Sequence, residues 1–214
     1  MKLLITGFEP FGNESINPAY EAVKLLSDTI GNVHLVKLEI PTEFMRAGMV
    51  LKDAIDQFHP DVVVCIGQAG GRSAITPEKV AINLMDARIP DNAGYQPFDK
   101  PIREDGETAY FSSLPVKAMV QAIRDAKIPS FLSYSAGTYV CNCLMYELLY
   151  LIDHFYPTIK GGFIHVPYMT EQAVDKPNGM PFMDLKTIVH GLEKAIEAIA
   201  EHEEDIQIHL GETH

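Results

Sequence analysis

The 214-residue sequence predicts an α/β fold: one three-layer domain whose largely parallel, twisted sheet carries helices on both faces. Two observations carry that expectation. Apolar runs of strand length alternate with segments of helical period along most of the chain. In addition, Asp61-Val62-Val63-Val64-Cys65-Ile66-Gly67 is apolar almost throughout, as a central strand covered on both sides must be. Repeats, low-complexity stretches and linkers are absent, so a single domain over residues 1–214 is expected, with an acidic, solvated tail from about residue 203.

Taken in order, Lys2 to Gly7 is the first strand, and Asn17-Pro18 opens a helix to about Leu26 with Pro18 in the first helical position. His34 to Ile40 is the second strand. Thr42 is expected to cap a helix running to Phe58, with Met45, Met49, Leu51 and Ile55 on its apolar face. After the Asp61–Gly67 strand the character changes. Residues 68–110 are rich in glycine and proline around one alternating piece, Lys79 to Leu84, which suggests a hairpin or loop excursion over one edge of the sheet. A helix near Val116–Asp125, a strand at Ser130–Ser133, a helix after Cys141, a strand at Gly162–Val166 and a last helix near Phe182–Glu203 complete the pattern.

The 47% apolar fraction supports a substantial core, and no run reaches the 18 apolar residues of a membrane-spanning helix. A formal net charge of −12 argues against nucleic acid and anionic membranes as partners. The first apolar stretch is too short for an export signal, so a cytoplasmic location is expected. There, Cys65, Cys141 and Cys143 are not a disulfide framework.

The segment Ser133-Tyr134-Ser135-Ala136-Gly137-Thr138-Tyr139-Val140-Cys141-Asn142 reads as a small-residue turn leading into a helix, with Cys141 at or near the helix N-terminus. Free N–H groups and the helix dipole favour an anion there, and the thiolate is the nucleophilic form of cysteine. Ligands of parallel sheets bind beyond the carboxyl ends of the strands. His165, which interrupts Gly161-Gly162-Phe163-Ile164-His165-Val166-Pro167, lies at such an end and is a candidate base. Glu78 leads the candidates for an orienting carboxylate, with Asp86 and Asp91 as competitors. Cys141 and Cys143, two apart on a helix, face different ways and make a poor redox or metal pair. A different cysteine-dependent amide hydrolase of the amidotransferase or deglycase kind, or a non-catalytic small-molecule binder, would share much of this layout.

Four motifs together resemble one family, the pyroglutamyl-peptidase I group of cysteine peptidases (the C15 type). They are Thr6-Gly7-Phe8-Glu9-Pro10-Phe11-Gly12 with Asn17-Pro18; Gly67-Gln68-Ala69-Gly70-Gly71-Arg72 with Ile75 to Asn83; Ser133 to Asn142; and Phe163-Ile164-His165-Val166-Pro167-Tyr168. The resemblance covers nearly the whole chain and departs from the family's pattern mainly at Asn13, where many relatives carry glycine, at Cys143, and in the tail. It implies removal of N-terminal pyroglutamyl (5-oxoprolyl) residues from peptides by a Cys141–His165–Glu78 triad through a thioester, with no metal or cofactor, in a homotetramer. It also implies an oxyanion site of backbone N–H groups, including that of Cys141, with Arg88 adding charge. Phe8 and Phe11 would form the slot for the flat lactam ring, and Asn17, Gln68 or backbone groups near Tyr139 and Val140 would pair its polar edge.

Overall fold

The fully buried run Val62–Gln68 is the middle of the molecule, and its neighbours arrange around it. The computed structural model describes residues 1–211. Along the chain lie β1 (Lys2–Phe8), α1 (Pro18–Leu25), β2 (Thr29–Ile30), β3 (Val33–Ile40), α2 (Phe44–Phe58) and β4 (Val62–Gln68). The excursion supplies β5 (Thr76–Pro77), β6 (Val80–Ile82) and β7 (Ala109–Phe111). Next come α3 (Val116–Asp125), α4 (Val140–His154), β8 (Lys160–Val166), β9 (Tyr168–Met169), α5 (Thr170–Ala173), β10 (Phe182–Met183) and α6 (Leu185–Glu201). Among the described residues the main sheet has six strands in the order β2-β3-β1-β4-β8-β5. The four inner strands are parallel, and short antiparallel strands close both edges. The α/β class and the largely parallel sheet are as the sequence leads one to expect.

Strand alternation divides the core into two layers. Leu3, Ile5, Val62, Val64, Ile66, Ile164 and Val166 face the layer of α1, α3 and α6. Leu4, Phe8, Val63, Cys65 and Phe163 face α2 and α4. Each such aliphatic or aromatic side chain, fully buried, contributes roughly 1.5–3 kcal/mol. The same alternation sends Gly67 and His165, which are register partners on β4 and β8, toward the α4 side.

Several local expectations need correction. Helix α2 starts at Phe44 with Glu43 in the cap position, and Thr42 is not its cap: the Phe44 N–H donates to Asp91 Oδ2 (2.9 Å), a cap supplied from the distant excursion. Its buried face is Phe44, Ala47, Gly48, Leu51, Ala54 and Ile55, while Met45 and Met49 are each 66% exposed. Small residues set that phase. A Cβ on Gly48 would come within 3.1 Å of Glu147 Cγ on α4, so the helix turns its narrow side inward and its methionines outward. Ser130–Ser133 forms only single bridges, Ile75↔Ser130 and Glu78↔Ser133, instead of a strand. Pro77 in the facing segment has no N–H to donate to a continuous ladder. Nor is the tail wholly solvated: Asp205 Oδ1 accepts from Lys117 and Ala118 N–H (both 3.0 Å) and so caps α3. The tail's Glu212 and His214 lie outside the described residues.

The excursion is better ordered by its anchors than by its own secondary structure. β5 pairs with β8 at the sheet edge, and β6 pairs with β7 and lies against α4. Asn142, on the first turn of α4, accepts from the Ile82 N–H (3.0 Å) and donates to the carbonyls of Ile82 (2.9 Å) and Leu84 (3.1 Å). Thr138 Oγ1 donates to the Asp86 carbonyl (2.7 Å), and the Asp86 N–H returns the bond to Thr138 (3.0 Å).

Candidate active site

Cys141 is the second residue of α4, which begins at Val140 after Tyr139 in the cap position. The Tyr139 side chain makes no cap hydrogen bond, since its hydroxyl donates instead to the Pro90 carbonyl (3.0 Å). The first-turn N–H groups are thus left open at the helix's positive end. Cys141 and His165 line one cavity of about 340 Å³ with Phe11, Gln68, Arg72 and Tyr139, a size suited to a small-molecule group.

His165 is buried (4% exposed), and its Nδ1 lies 2.7 Å from Oε1 of the fully buried Glu78. Nδ1 therefore carries the proton toward Glu78 and leaves Nε2 for chemistry. Glu78 reaches the ring because β5 runs antiparallel beside β8, with Thr76 opposite His165 and the Glu78 N–H bonded to the Phe163 carbonyl (2.9 Å). The competitors are spent elsewhere. Asp91 caps α2 and binds the Ala93 and Tyr95 N–H groups, and Asp86 is exposed.

Arg72, quoted in the sequence motif without a role, is the residue that reading the sequence missed. Its Nη1 donates to Glu78 Oε1 and Thr76 Oγ1 (2.6 Å each), and its Nη2 to the Ser135 carbonyl (2.9 Å) in the turn before Cys141. One guanidinium thus ties the carboxylate to the cysteine's loop. An arginine six positions before a lone acidic residue in a buried segment was the available signal. Burial pushes the Glu78 carboxyl up, but the hydrogen bond and charge of His165, the charge of Arg72 and the Ser133 hydroxyl outweigh it, so Glu78 titrates below the ordinary carboxylate value.

The sulfur is less activated at rest than a helix N-terminus alone suggests. Burial, reinforced by the Glu78 charge and opposed by Arg72, holds the Cys141 thiol up at about 12. The residue is half-buried, yet its Sγ faces inward: a Cβ on Gly67 would lie 2.9 Å from Sγ and 2.6 Å from Phe163 Cζ. Gly67→Ala is therefore expected to displace sulfur or ring, lowering kcat/KM by about 10²-fold and stability by roughly 1–3 kcal/mol. Kinetics and a thermal melt of the variant check both. Cys65 and Cys143 are buried with thiols likewise pushed up, and Cys143 Sγ contacts the Phe44 carbonyl (3.5 Å), a packing role.

The other expected site residues divide. Phe11 lines the cavity, its ring 5.9 Å from that of Tyr139. Phe8 does not line it. Phe8 is 2% exposed in the core beside Phe163, whose ring in turn lies 4.8 Å from that of His165. Asn17 is also removed from the cavity, because its amide is consumed in capping α1: Oδ1 accepts from the Ala19 N–H and Nδ2 donates to the Glu9 carbonyl (3.0 Å each). Gln68 lines the cavity and Val140 is buried, so Val140 can offer only its backbone. Arg88 is exposed and lines an adjoining cavity of about 460 Å³ that shares Phe11 and Tyr139 with the first. Asn13, the departure from glycine, has φ +67°, a left-handed conformation that asparagine tolerates better than most residues.

Comparison with known proteins points to one family. The model of the pyroglutamyl peptidase family matches residues 1–212. The chain is 57% identical to a pyrrolidone-carboxylate peptidase of Streptococcus pneumoniae and 54% identical to one of Enterococcus faecalis, each alignment covering all of both chains. Among solved structures it is similar to pyroglutamyl peptidase I from Bacillus amyloliquefaciens (TM-score 0.94, 46% identity, 97% of this chain and 99% of that one). It is likewise similar to the pyrrolidone carboxyl peptidase of Thermococcus litoralis (TM-score 0.93, 41% identity, 98% and 99%). On its motifs, its fold and these likenesses, the chain belongs to the pyroglutamyl peptidase family.

Proposed function

We propose that this single catalytic domain removes N-terminal pyroglutamyl residues from peptides with Cys141 as nucleophile, His165 as proton carrier and Glu78 as the group that orients the imidazole. The observation that carries the reading is the buried Glu78–His165 pair opening onto the same cavity as a cysteine in the first turn of α4. The Cys141 proton passes to His165 Nε2 as Sγ bonds to the acyl carbon and the carbonyl electrons move to oxygen. The open N–H groups of α4's first turn, that of Cys141 among them, stabilise this oxyanion. Arg88 adds positive charge only from the adjoining cavity. Collapse breaks the C–N bond, and the departing amine takes the proton from His165. Water then attacks the thioester while His165 accepts its proton; the C–S bond breaks, the sulfur recovers a proton and pyroglutamate leaves. Throughout, Glu78 holds Nδ1–H and stabilises the transient imidazolium.

Recognition follows from the lining. Phe11 and Tyr139 present ring faces to a flat lactam, and Gln68 with the backbone near Tyr139 and Val140 pairs its polar edge. Phe11→Ala should lower kcat/KM for a pyroglutamyl amide roughly tenfold or more through lost packing. Unchanged kinetics would remove the aromatic wall. The overall proposal is tested by following a chromogenic pyroglutamyl amide before and after thiol alkylation. Activity should fall in proportion to modification of Cys141, the one cysteine of the three that is not buried; full activity after its modification overturns the thiol mechanism. A homotetramer and a cytoplasmic location belong to the same proposal and are tested by light scattering and by cell fractionation. Among the described residues no helix is long and apolar enough to cross a membrane.

A further inference from the structure

The cavity's one side-chain amide is not free to choose which end it shows. Gln68 is 9% exposed at the end of β4. Its Oε1 accepts a hydrogen bond from Nε2 of Gln172 (2.9 Å), a residue 5% exposed on the short helix α5. The two ends of a glutamine amide have similar shape, so its orientation must follow from partners of fixed polarity. Gln172 has them. Its Oε1 accepts from the backbone N–H of Met169 (3.2 Å), a group that can only donate. Its Nε2 faces acceptors only: Gln68 Oε1, Glu14 Oε2 (3.3 Å) and the Ile16 carbonyl (3.4 Å). Glu14 is itself held by an ion pair with Lys176.

We infer that Gln172 is a positioning residue for substrate specificity: it locks the Gln68 amide so that Nε2, a donor, is the end presented to the cavity. Polarity passes in one direction, from the Met169 N–H through Gln172 to Gln68 and on to the ligand. A donor fixed at that point selects a carbonyl acceptor, and the lactam C=O of pyroglutamate is one. Proline lacks it and would leave the Gln68 N–H groups unpaired, the situation in which buried polar sites discriminate most strongly. This inference rests on the assignment of Gln68 to the lactam edge.

The test uses two variants of Gln172 and one of Gln68, with 2-pyrrolidone, the bare lactam, as competitive probe. Gln172→Glu cannot donate at neutral pH, so it frees Gln68 to turn its oxygen outward. Gln172→Met keeps the length and loses all four side-chain hydrogen bonds. Both should raise the inhibition constant of 2-pyrrolidone and the KM of a pyroglutamyl amide about tenfold or more, while the rate of Cys141 alkylation without substrate stays at the wild-type value. A merely structural role would move alkylation and the melting temperature along with KM. Gln68→Met separates the two levels. If it weakens 2-pyrrolidone binding but neither Gln172 variant does, the relay is wrong and the lactam assignment stands. If Gln68→Met leaves 2-pyrrolidone binding unchanged, both fall.

Discussion

Serine at position 141 is expected to lower kcat for a pyroglutamyl amide by on the order of 10⁶-fold, the scale seen when a hydrolase loses its nucleophile. The hydroxyl is a far weaker acid and nucleophile than the thiol, and it stands farther from the acyl carbon that Sγ reaches. Sulfur is the more polarisable and more acidic nucleophile, and an alcohol oxygen in the same desolvated corner would give up its proton to His165 far less readily. The fold should survive. Oxygen is smaller than sulfur, and the neighbours of Sγ, Gly67 and Phe163, are held by the strands β4 and β8. The measurement pairs amide hydrolysis with a circular-dichroism melt and with 2-pyrrolidone binding. Binding and melting should stay near wild type; turnover within about a hundredfold of wild type would disqualify Cys141.

The second large effect is expected at Glu78. Glu78→Gln keeps the shape but removes the charge that stabilises the imidazolium, and it lets an amide N–H face Nδ1 and favour the wrong tautomer. A loss of about 10³–10⁴-fold in kcat follows by analogy with the neutralised carboxylate of a serine triad. Stability changes too, and its pH dependence has a definite sign. Because the Glu78 carboxyl titrates below its unfolded value of about 4.3, its stabilising contribution is complete above that pH and is lost as pH falls through the lower, folded value. The melting-temperature gap between wild type and Glu78→Gln should therefore be widest above about pH 5 and narrow as the solution is acidified. A gap independent of pH would mean that the carboxylate is neither buried as a charge nor held by Arg72 and His165.

What the sequence made legible was whatever depends on local period. The inner strands, the helices through α4 and the placing of His165 at a strand end follow from spacing, and the structure keeps them within about two residues. The strand expected before Cys141 is only two isolated bridges, and the last helix starts at Leu185 because Phe182–Met183 form β10. What stayed hidden depends on partners distant in the chain. Thr42 looked like a helix cap, but the bond that Phe44 needs comes from Asp91, across 47 positions. Asn17 looked available to a ligand, though an asparagine before a helix-opening proline spends its carbonyl on the cap, a local signal that favoured structure over function. Met45 and Met49 matched an apolar stripe, yet the close approach of Gly48 to α4 decided the helix's rotation. Arg72 and Gln172 gain their roles only when β5 and α5 fold back on the site. No periodicity announces either.

The amide of Asn142 clasps residues 82 and 84 to the helix that carries Cys141, and Asp91 fastens the same excursion to α2. The loop-rich segment is therefore a foundation: lifting it would break the Asn142 and Asp91 bonds that tie it to α4 and α2. This has a consequence for the timing of synthesis. Glu78 and Cys141 emerge from the ribosome before His165, and none of them has its partners until β8 has slotted between β4 and β5. A nascent or unfolded chain therefore carries three ordinary thiols, and hydrolytic reactivity arrives only with the finished tertiary structure.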